Sequence, residues 1–163
     1  MPAMYETEND LPRPARTELN ELLNWRLADA IDLQMQMKQA HWNVKGPHFI
    51  GLHELFDKIA EEVESYVDLI AERIVQLGGT AQGTVRVTAA RSRLDEYPRE
   101  IAEGAAHVEA VARGLSTFGR EVRLSIDEAD KFGDADTADL FTEVSRGIDK
   151  WLWFVEAHTQ ASK

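Results

Sequence analysis

Apolar side chains recur every three or four residues over four long stretches of the chain. This spacing places them on one face of an α-helix, so each stretch predicts an amphipathic helix. The first helix is predicted over residues 17–45, with Thr17 as its N-cap and Gly46 at its end. The second begins after Pro47 and ends at Leu77, which two glycines follow.

The second half of the chain shows the same apolar pattern with less clearly marked helix boundaries. Two further long helices are predicted over residues 99–129 and 137–155, and a short helix over 89–94 within the less regular segment 80–98. No segment alternates apolar and polar residues clearly enough to predict a strand. Four long helices with one longer connection between the second and the third predict an all-α four-helix bundle with a crossover.

The length of 163 residues is that of one domain. We predict a flexible leader at 1–16, the helical bundle at 17–158 and a short tail at 159–163. The chain has no cysteine, which excludes disulfides, thiolate metal sites and cysteine nucleophiles. No stretch approaches the roughly 20 apolar residues of a membrane span. These features predict a soluble cytoplasmic protein with no membrane partner.

The net charge is −11, from 29 acidic and 18 basic residues. Such a surface repels nucleic acid at long range and attracts cations. Solubility alone is the simpler explanation of an acidic surface. The positions of the acidic residues therefore decide whether they have a specific role.

The second helix carries two pairs of metal-ligand side chains whose spacing reads the same in both directions. His53 and Asp57 are four residues apart, as are Asp68 and Glu72, and eleven positions separate Asp57 from Asp68. All four project toward one helix face about 100° wide, but the inner members lie about 16 Å apart along the axis, too far for one ion. Two antiparallel copies of the helix would place His53 opposite Glu72 and Asp57 opposite Asp68, the reciprocity that a two-fold contact needs. The spacing predicts a metal site shared between subunits.

The first helix adds His41 as a further candidate ligand. Imidazole and carboxylate together suit iron, zinc or manganese, and the absence of thiolates disfavours structural zinc, so iron is the preferred interpretation. The alternative is an ordinary solvated acidic face. Two histidines and three carboxylates with this spacing favour the metal site.

The residues around these ligands resemble the Dps family, the mini-ferritins called DNA-binding proteins from starved cells. The shared order of ligands is His41, His53, Asp57, Asp68 and Glu72. The shared sequence motifs are AHWN at 40–43, FIGLHE at 49–54, AER at 71–73, QLGG at 76–79, DTAD at 136–139 and DKWLWF at 149–154. The match extends from about residue 17 to 156. This resemblance implies a ferritin-like four-helix bundle with a short extra helix between the second and third long helices, assembled as a hollow homo-dodecamer with two-fold interfaces through the second helix.

The same resemblance implies ferroxidase activity and iron storage. In the family pattern His41, His53 and Asp57 come from one subunit, and Asp68 and Glu72 come from its mate. Together they bind two iron ions, Fe(II) is oxidised to Fe(III), usually with hydrogen peroxide in preference to dioxygen, and the ferric mineral is stored inside. Zinc is an expected competitor at this site, and protection against oxidative stress is the implied outcome.

Other residues receive roles by analogy with the family. Trp42 would intercept radicals beside the site, although a core aromatic is an equally good interpretation. The acidic residues expected to line the pore through which iron passes are Asp127, Asp130 and Asp134, and N-capping of the last helix is the alternative for Asp134. The carboxylates expected to nucleate mineral are Glu54, Glu61 and Glu64, the last two of which would otherwise pair across the interface. His107 is predicted to face solvent.

Direct binding of DNA is predicted to be weak or absent. The leader contains Arg13 and Arg16 but no lysine, and the tail offers only Lys163, whereas a phosphate-binding arm needs several basic residues. Association with the nucleoid within the cytoplasm remains an alternative location. The rival functions are a passive structural or DNA-compacting shell without oxidase activity, and a bundle that holds manganese or zinc.

Overall fold

The computed structural model describes residues 4–161, and in this range the chain forms five helices. They are α1 (Arg13–Asn43), α2 (Phe49–Gln76), α3 (Val85–Arg91), α4 (Gly104–Lys131) and α5 (Ala135–Glu156). Helix α1 packs along α2 and α4 packs along α5, while α1–α4 and α2–α5 contacts join the two pairs around one apolar core. This arrangement confirms the predicted four-helix bundle with a short extra helix between the second and third long helices. None of the helices within 4–161 has an apolar stretch long enough to cross a membrane.

The first helix begins earlier than its sequence pattern predicts. It starts at Arg13, so Thr17 is not the N-cap. The hydroxyl of Thr17 donates to the carbonyl of Arg13 at 3.0 Å, inside the helix. Pro14 lies in the first turn, where its missing N–H costs nothing because that group has no helical partner. The helix is therefore extended toward the N-terminus by a polar turn without apolar periodicity.

The predicted ends of α3 and α4 are also wrong, because contacts between segments decide them. Helix α3 ends at Arg91, after which the backbone N–H of Arg93 donates to Asp29 on α1 at 2.7 Å. This contact holds the chain extended where the sequence predicts continued helix. Helix α4 begins at Gly104 because the preceding residues pair with the α1–α2 connection, through Lys45 N–H and the carbonyl of Ala102 at 2.8 Å.

The segment before α1 and the first turn of α1 lie against the end of α2. The N–H of Tyr5 donates to the carbonyl of Gly78 at 2.7 Å, and the buried guanidinium of Arg16 donates to the carbonyl of Leu77 at 3.1 Å. Gly78 ends α2 with φ of 81°, and a Cβ at this position would lie 2.6 Å from the carbonyl oxygen of Tyr5. Only glycine therefore fits there. The division into flexible leader, bundle and tail stays a prediction.

A buried ionic cluster joins α1, α4 and the segment after α3. The guanidinium of Arg26, 2% exposed, lies 3.1 Å from Glu121 and forms an ion pair with Asp29 at 2.9 Å that is not aligned for a hydrogen bond. Arg93 also contacts Glu121, at 3.0 Å. Burial raises the pKa of Asp29. Burial would also raise the pKa of Glu121, but the hydrogen bonds from Arg26 and Arg93 outweigh it and hold that pKa below its ordinary value.

Replacing Glu121 with glutamine is expected to destabilise the protein at neutral pH by about 1–3 kcal/mol, since Arg26 loses one of its two buried counter-charges. Because the pKa of Glu121 is lowered on folding, its contribution is present above the pKa of the unfolded chain and is lost as pH falls through the folded value. Unfolding free energies of both proteins, measured from pH 7 downward, should therefore differ most at pH 7 and converge as pH falls through the lowered pKa of Glu121. A difference that is constant with pH would show that the charge of Glu121 contributes nothing.

Candidate metal centre

Two histidines are brought together where α1 ends and α2 begins. His41 lies in the last turn of α1 and His53 in the second turn of α2, and a short connection that turns at Gly46, with φ of 115°, joins the helices. The two rings stack with their centroids 3.8 Å apart and an angle of 22° between their planes. Phe49 lies against the ring of His53, with centroids 5.0 Å apart. The turn between the helices therefore positions both imidazoles without any other part of the chain.

Each histidine is oriented by the backbone of the other. His41 Nδ1 lies 2.7 Å from the carbonyl oxygen of His53, and His53 Nδ1 lies 2.8 Å from the carbonyl oxygen of His41. A carbonyl oxygen only accepts, so we assign the ring proton to Nδ1 in both residues. Each Nε2 is left with a lone pair. Metal-binding histidines are commonly held in this way, with one nitrogen donating to a fixed acceptor and the other free for the ion.

Asp57, one turn beyond His53, completes a group that we call the histidine half-site: His41, His53 and Asp57. His41 Nε2 and Asp57 Oδ1 are 3.9 Å apart, a gap that one ion with bonds of about 2.0–2.2 Å to each atom would span. The same oxygen accepts a hydrogen bond of 2.6 Å from the ammonium of Lys38. This hydrogen bond holds the pKa of Asp57 below its ordinary value, so the carboxylate is ionised at neutral pH.

The other two predicted ligands lie farther along α2. Asp68 and Glu72 are both exposed, and we call them the acidic half-site. Eleven positions of helix separate Asp57 from Asp68, about 16 Å along the axis. Within residues 4–161 no group of three or more histidine or acidic side chains, the histidine half-site included, could hold a metal ion by itself. The chain thus brings the histidine half-site together but not the two half-sites, and closure by a second chain stays a prediction.

Trp42 lies beside the histidine half-site and is 57% exposed, so its interpretation as a core aromatic is wrong. The ammonium of Lys38 lies 5.9 Å from the centroid of its ring. Its role as a radical trap stays a prediction. Sequence reasoning missed Lys38, although its position three residues before His41 places both side chains on one face of α1.

Among the residues assigned to the pore, Asp134 has the alternative role as N-cap of α5. Its carboxylate, 3% exposed, accepts from the N–H of Thr137 and from the guanidinium of Arg73 at 2.9 and 3.0 Å. Burial would raise the pKa of Asp134, but the hydrogen bonds from Thr137 and Arg73 outweigh it and lower that pKa. Asp127 and Asp130 are exposed near the end of α4. Asp134 caps α5, and the pore stays a prediction for Asp127 and Asp130.

The predicted nucleation residues are all exposed on α2, namely Glu54, Glu61 and Glu64. Their role also stays a prediction. His107 does not face solvent as predicted, because it is 1% exposed and its Nδ1 lies 2.7 Å from the hydroxyl of Tyr97. The segment before α4 folds over this histidine. Its burial lowers the pKa of His107.

Known proteins resemble the chain along most of its length. Residues 20–163 match the family model of the ferritin-like domain. The DNA protection during starvation protein of Agrobacterium fabrum is 44% identical over 156 residues, which cover 96% of each chain. The protein of that name from Mycolicibacterium smegmatis is 33% identical, covering 90% of this chain and 79% of that one.

Solved structures agree with the fold. The tetragonal form of Mycobacterium smegmatis Dps superposes with a TM-score of 0.91 at 32% identity and covers 96% of both chains. DpsA14 from Streptomyces coelicolor superposes with a TM-score of 0.93 at 34% identity, covering 99% of this chain and 96% of that chain.

Proposed function

We propose that this chain, which belongs to the Dps family of ferritin-like proteins, oxidises Fe(II) at sites shared between two subunits and stores the ferric product inside a hollow homo-dodecamer. The observation that carries the proposal is the pair of reciprocal contacts between His41 and His53, which engage Nδ1 of each ring and leave each Nε2 for a metal ion. Nε2 of His41 lies 3.9 Å from the ionised Asp57. An ordinary surface histidine has no need of a fixed tautomer. A metal ligand does.

Closure of the site follows from the symmetry of α2. When two copies of α2 lie antiparallel, the histidine half-site of each chain faces the acidic half-site of the other, which gives two equivalent sites at one interface. Asp68 and Glu72 are like charges one turn apart, an arrangement that costs a few tenths of a kcal/mol on an exposed helix. A bound cation removes that repulsion. The exposed acidic half-site is thus suited to the histidines and the carboxylate of a partner.

Ferrous iron is the substrate, and the side chains favour its oxidation electrostatically. Imidazole and carboxylate are good ligands for iron, and carboxylates stabilise Fe(III) more than Fe(II) because the interaction scales with the charge of the ion. Holding two ferrous ions at one site lets a single peroxide take one electron from each. Two Fe(II), one hydrogen peroxide and two protons then give two Fe(III) and two waters. No hydroxyl radical is released in this balance.

The protective role implied by the relatives' names follows from this chemistry. Iron and peroxide are both consumed, so DNA is protected without contact. We expect direct DNA binding to be weak at neutral pH and physiological salt, since the net charge is −11. We propose the cytoplasm as the location, Asp127 and Asp130 as part of the path for iron, and Glu54, Glu61 and Glu64 as sites where mineral begins.

Stopped-flow absorbance tests the activity. The assembled protein is loaded anaerobically with Fe(II) and mixed with hydrogen peroxide or with dioxygen, and ferric absorbance is followed. We expect peroxide to produce the faster rise, with about one peroxide consumed per two ferrous ions, and zinc added beforehand to slow it. A passive shell would oxidise iron no faster than buffer alone, and that result would refute the proposal.

A further inference from the structure

The ammonium of Lys38 donates a hydrogen bond to Asp57 Oδ1, the carboxylate oxygen nearest to His41. We propose that Lys38 is a positioning residue that competes with iron for Asp57, so that the histidine half-site accepts a metal ion only when the ammonium is displaced and the acidic half-site of a second chain is present. This inference rests on the proposed ferroxidase site and adds a control of metal loading to it.

The competition follows from two distances to one atom. Lys38 Nζ lies 2.6 Å and His41 Nε2 lies 3.9 Å from Asp57 Oδ1. The first is a short charge-assisted hydrogen bond. An ion bonded to that oxygen at about 2 Å would lie less than about 5 Å from the ammonium, where two positive charges repel. Lys38 therefore has to move before a metal ion binds tightly.

The charges explain why a second chain is needed. Lys38 and Asp57 neutralise each other at 2.6 Å, so the one carboxylate of the histidine half-site offers little net negative charge to attract a cation. Asp68 and Glu72 of a second copy would bring two negative charges without a lysine. The full site then attracts cations, whereas either half alone holds them poorly.

The displaced ammonium has a place close by. Lys38 lies 5.9 Å from the ring centroid of Trp42, and both side chains are partly or largely exposed. The face of an indole ring attracts an ammonium, so a short movement would exchange the carboxylate for the ring. One positive charge would then leave Asp57 as the metal ion arrives.

Zinc binding to the assembled, iron-free protein tests the competition, because zinc is redox-silent and binds the same donors. We expect Lys38→Met to bind zinc about tenfold more tightly by titration calorimetry at low ionic strength, with a smaller difference at high salt. Lys38→Arg keeps the charge and should bind as the native protein does. The matched control is Lys58→Met, which removes the same charge from an exposed residue next to Asp57 in sequence and should change zinc affinity little.

A second measurement separates competition from a merely structural role. Zinc should change the tryptophan fluorescence of the native protein as the ammonium approaches Trp42, and Trp42→Phe or Lys38→Met should remove that change. Zinc affinity that is unchanged or weaker in Lys38→Met, while Asp57→Asn loses binding, would overturn the role of Lys38 and leave the proposed site standing. Zinc affinity unaffected by Asp57→Asn and by loss of Asp68 and Glu72 would overturn both.

Discussion

Alanine at both Asp68 and Glu72 is expected to slow peroxide-driven oxidation of Fe(II) about a hundredfold or more. The substitution removes every carboxylate that the partner chain would contribute to the site. Asp57 remains, but the ammonium of Lys38 neutralises it, so little negative charge is left to hold two ferrous ions together. The rate is measured by stopped-flow absorbance after anaerobic loading with iron.

Assembly and stability should survive this change. Asp68 and Glu72 are exposed in the single chain, and their removal relieves a like-charge repulsion. The matched control is E96A/E100A, which also removes two exposed carboxylates four positions apart but should oxidise iron at the native rate. An equal loss of rate in the control would show that surface charge, and not the acidic half-site, determines oxidation.

Mixed assemblies test whether the site spans two chains. One variant lacks His53 and Asp57, the other lacks Asp68 and Glu72, and each alone should be inactive. In a dimer that contains one copy of each variant, one of the two sites keeps all of its ligands. Random co-assembly makes about half of the dimers mixed, so it should restore about a quarter of the native activity. A site contained within one chain would give no recovery.

Gly147→Ala should produce a large loss of stability, about 2 kcal/mol, seen as a fall of about 4–8 °C in the midpoint of thermal unfolding. A methyl group on Gly147 would overlap the hydroxyl of Tyr66 and lie 2.9 Å from Tyr66 Cζ. Tyr66 is 4% exposed, and its hydroxyl donates to Glu62 at 2.5 Å. The ring therefore cannot move aside without breaking a partly buried hydrogen bond. The higher helix propensity of alanine offsets less than about 1 kcal/mol of this cost.

The control for Gly147 is Gly51→Ala, since a Cβ at Gly51 meets nothing within 4 Å. That change should leave stability equal or slightly increased. In a Tyr66→Phe background the cost of Gly147→Ala should fall, because the overlapping hydroxyl is gone. A cost that does not depend on Tyr66 would refute the steric explanation.

The helices were predictable where apolar periodicity determines them and not where contacts between segments do. Helix α2 ends where its apolar stripe meets Leu77, as predicted. The short α3 ends earlier than predicted because a contact distant in sequence decides its end. Asp29 on α1 accepts a hydrogen bond from the backbone N–H of Arg93, just beyond the last residue of α3. The sequence predicts His107 at the surface for the same reason, since the segment that covers it has no apolar periodicity of its own.

The candidate site was predictable as a set of ligands but not as a geometry. The repeated spacing of His53, Asp57, Asp68 and Glu72 is visible in the sequence because a helix converts spacing into a shared face. The ring orientations of His41 and His53 depend on two backbone carbonyls at a turn, which no residue pattern encodes. In the sequence, Lys38 cannot be distinguished from an ordinary solvated lysine. Its contact with Asp57 is visible only in the structure, where α2 packs along α1.

The reciprocal contacts between His41 and His53 lie within one helical hairpin, so they form among residues that are near neighbours along the chain. Such local contacts arise early in folding, since little entropy is lost in closing a short loop. A newly synthesised subunit should therefore acquire its pair of oriented imidazoles before it meets another subunit. On the proposed two-chain site, redox reactivity then depends on protein concentration, and dilute nascent chains would not oxidise iron.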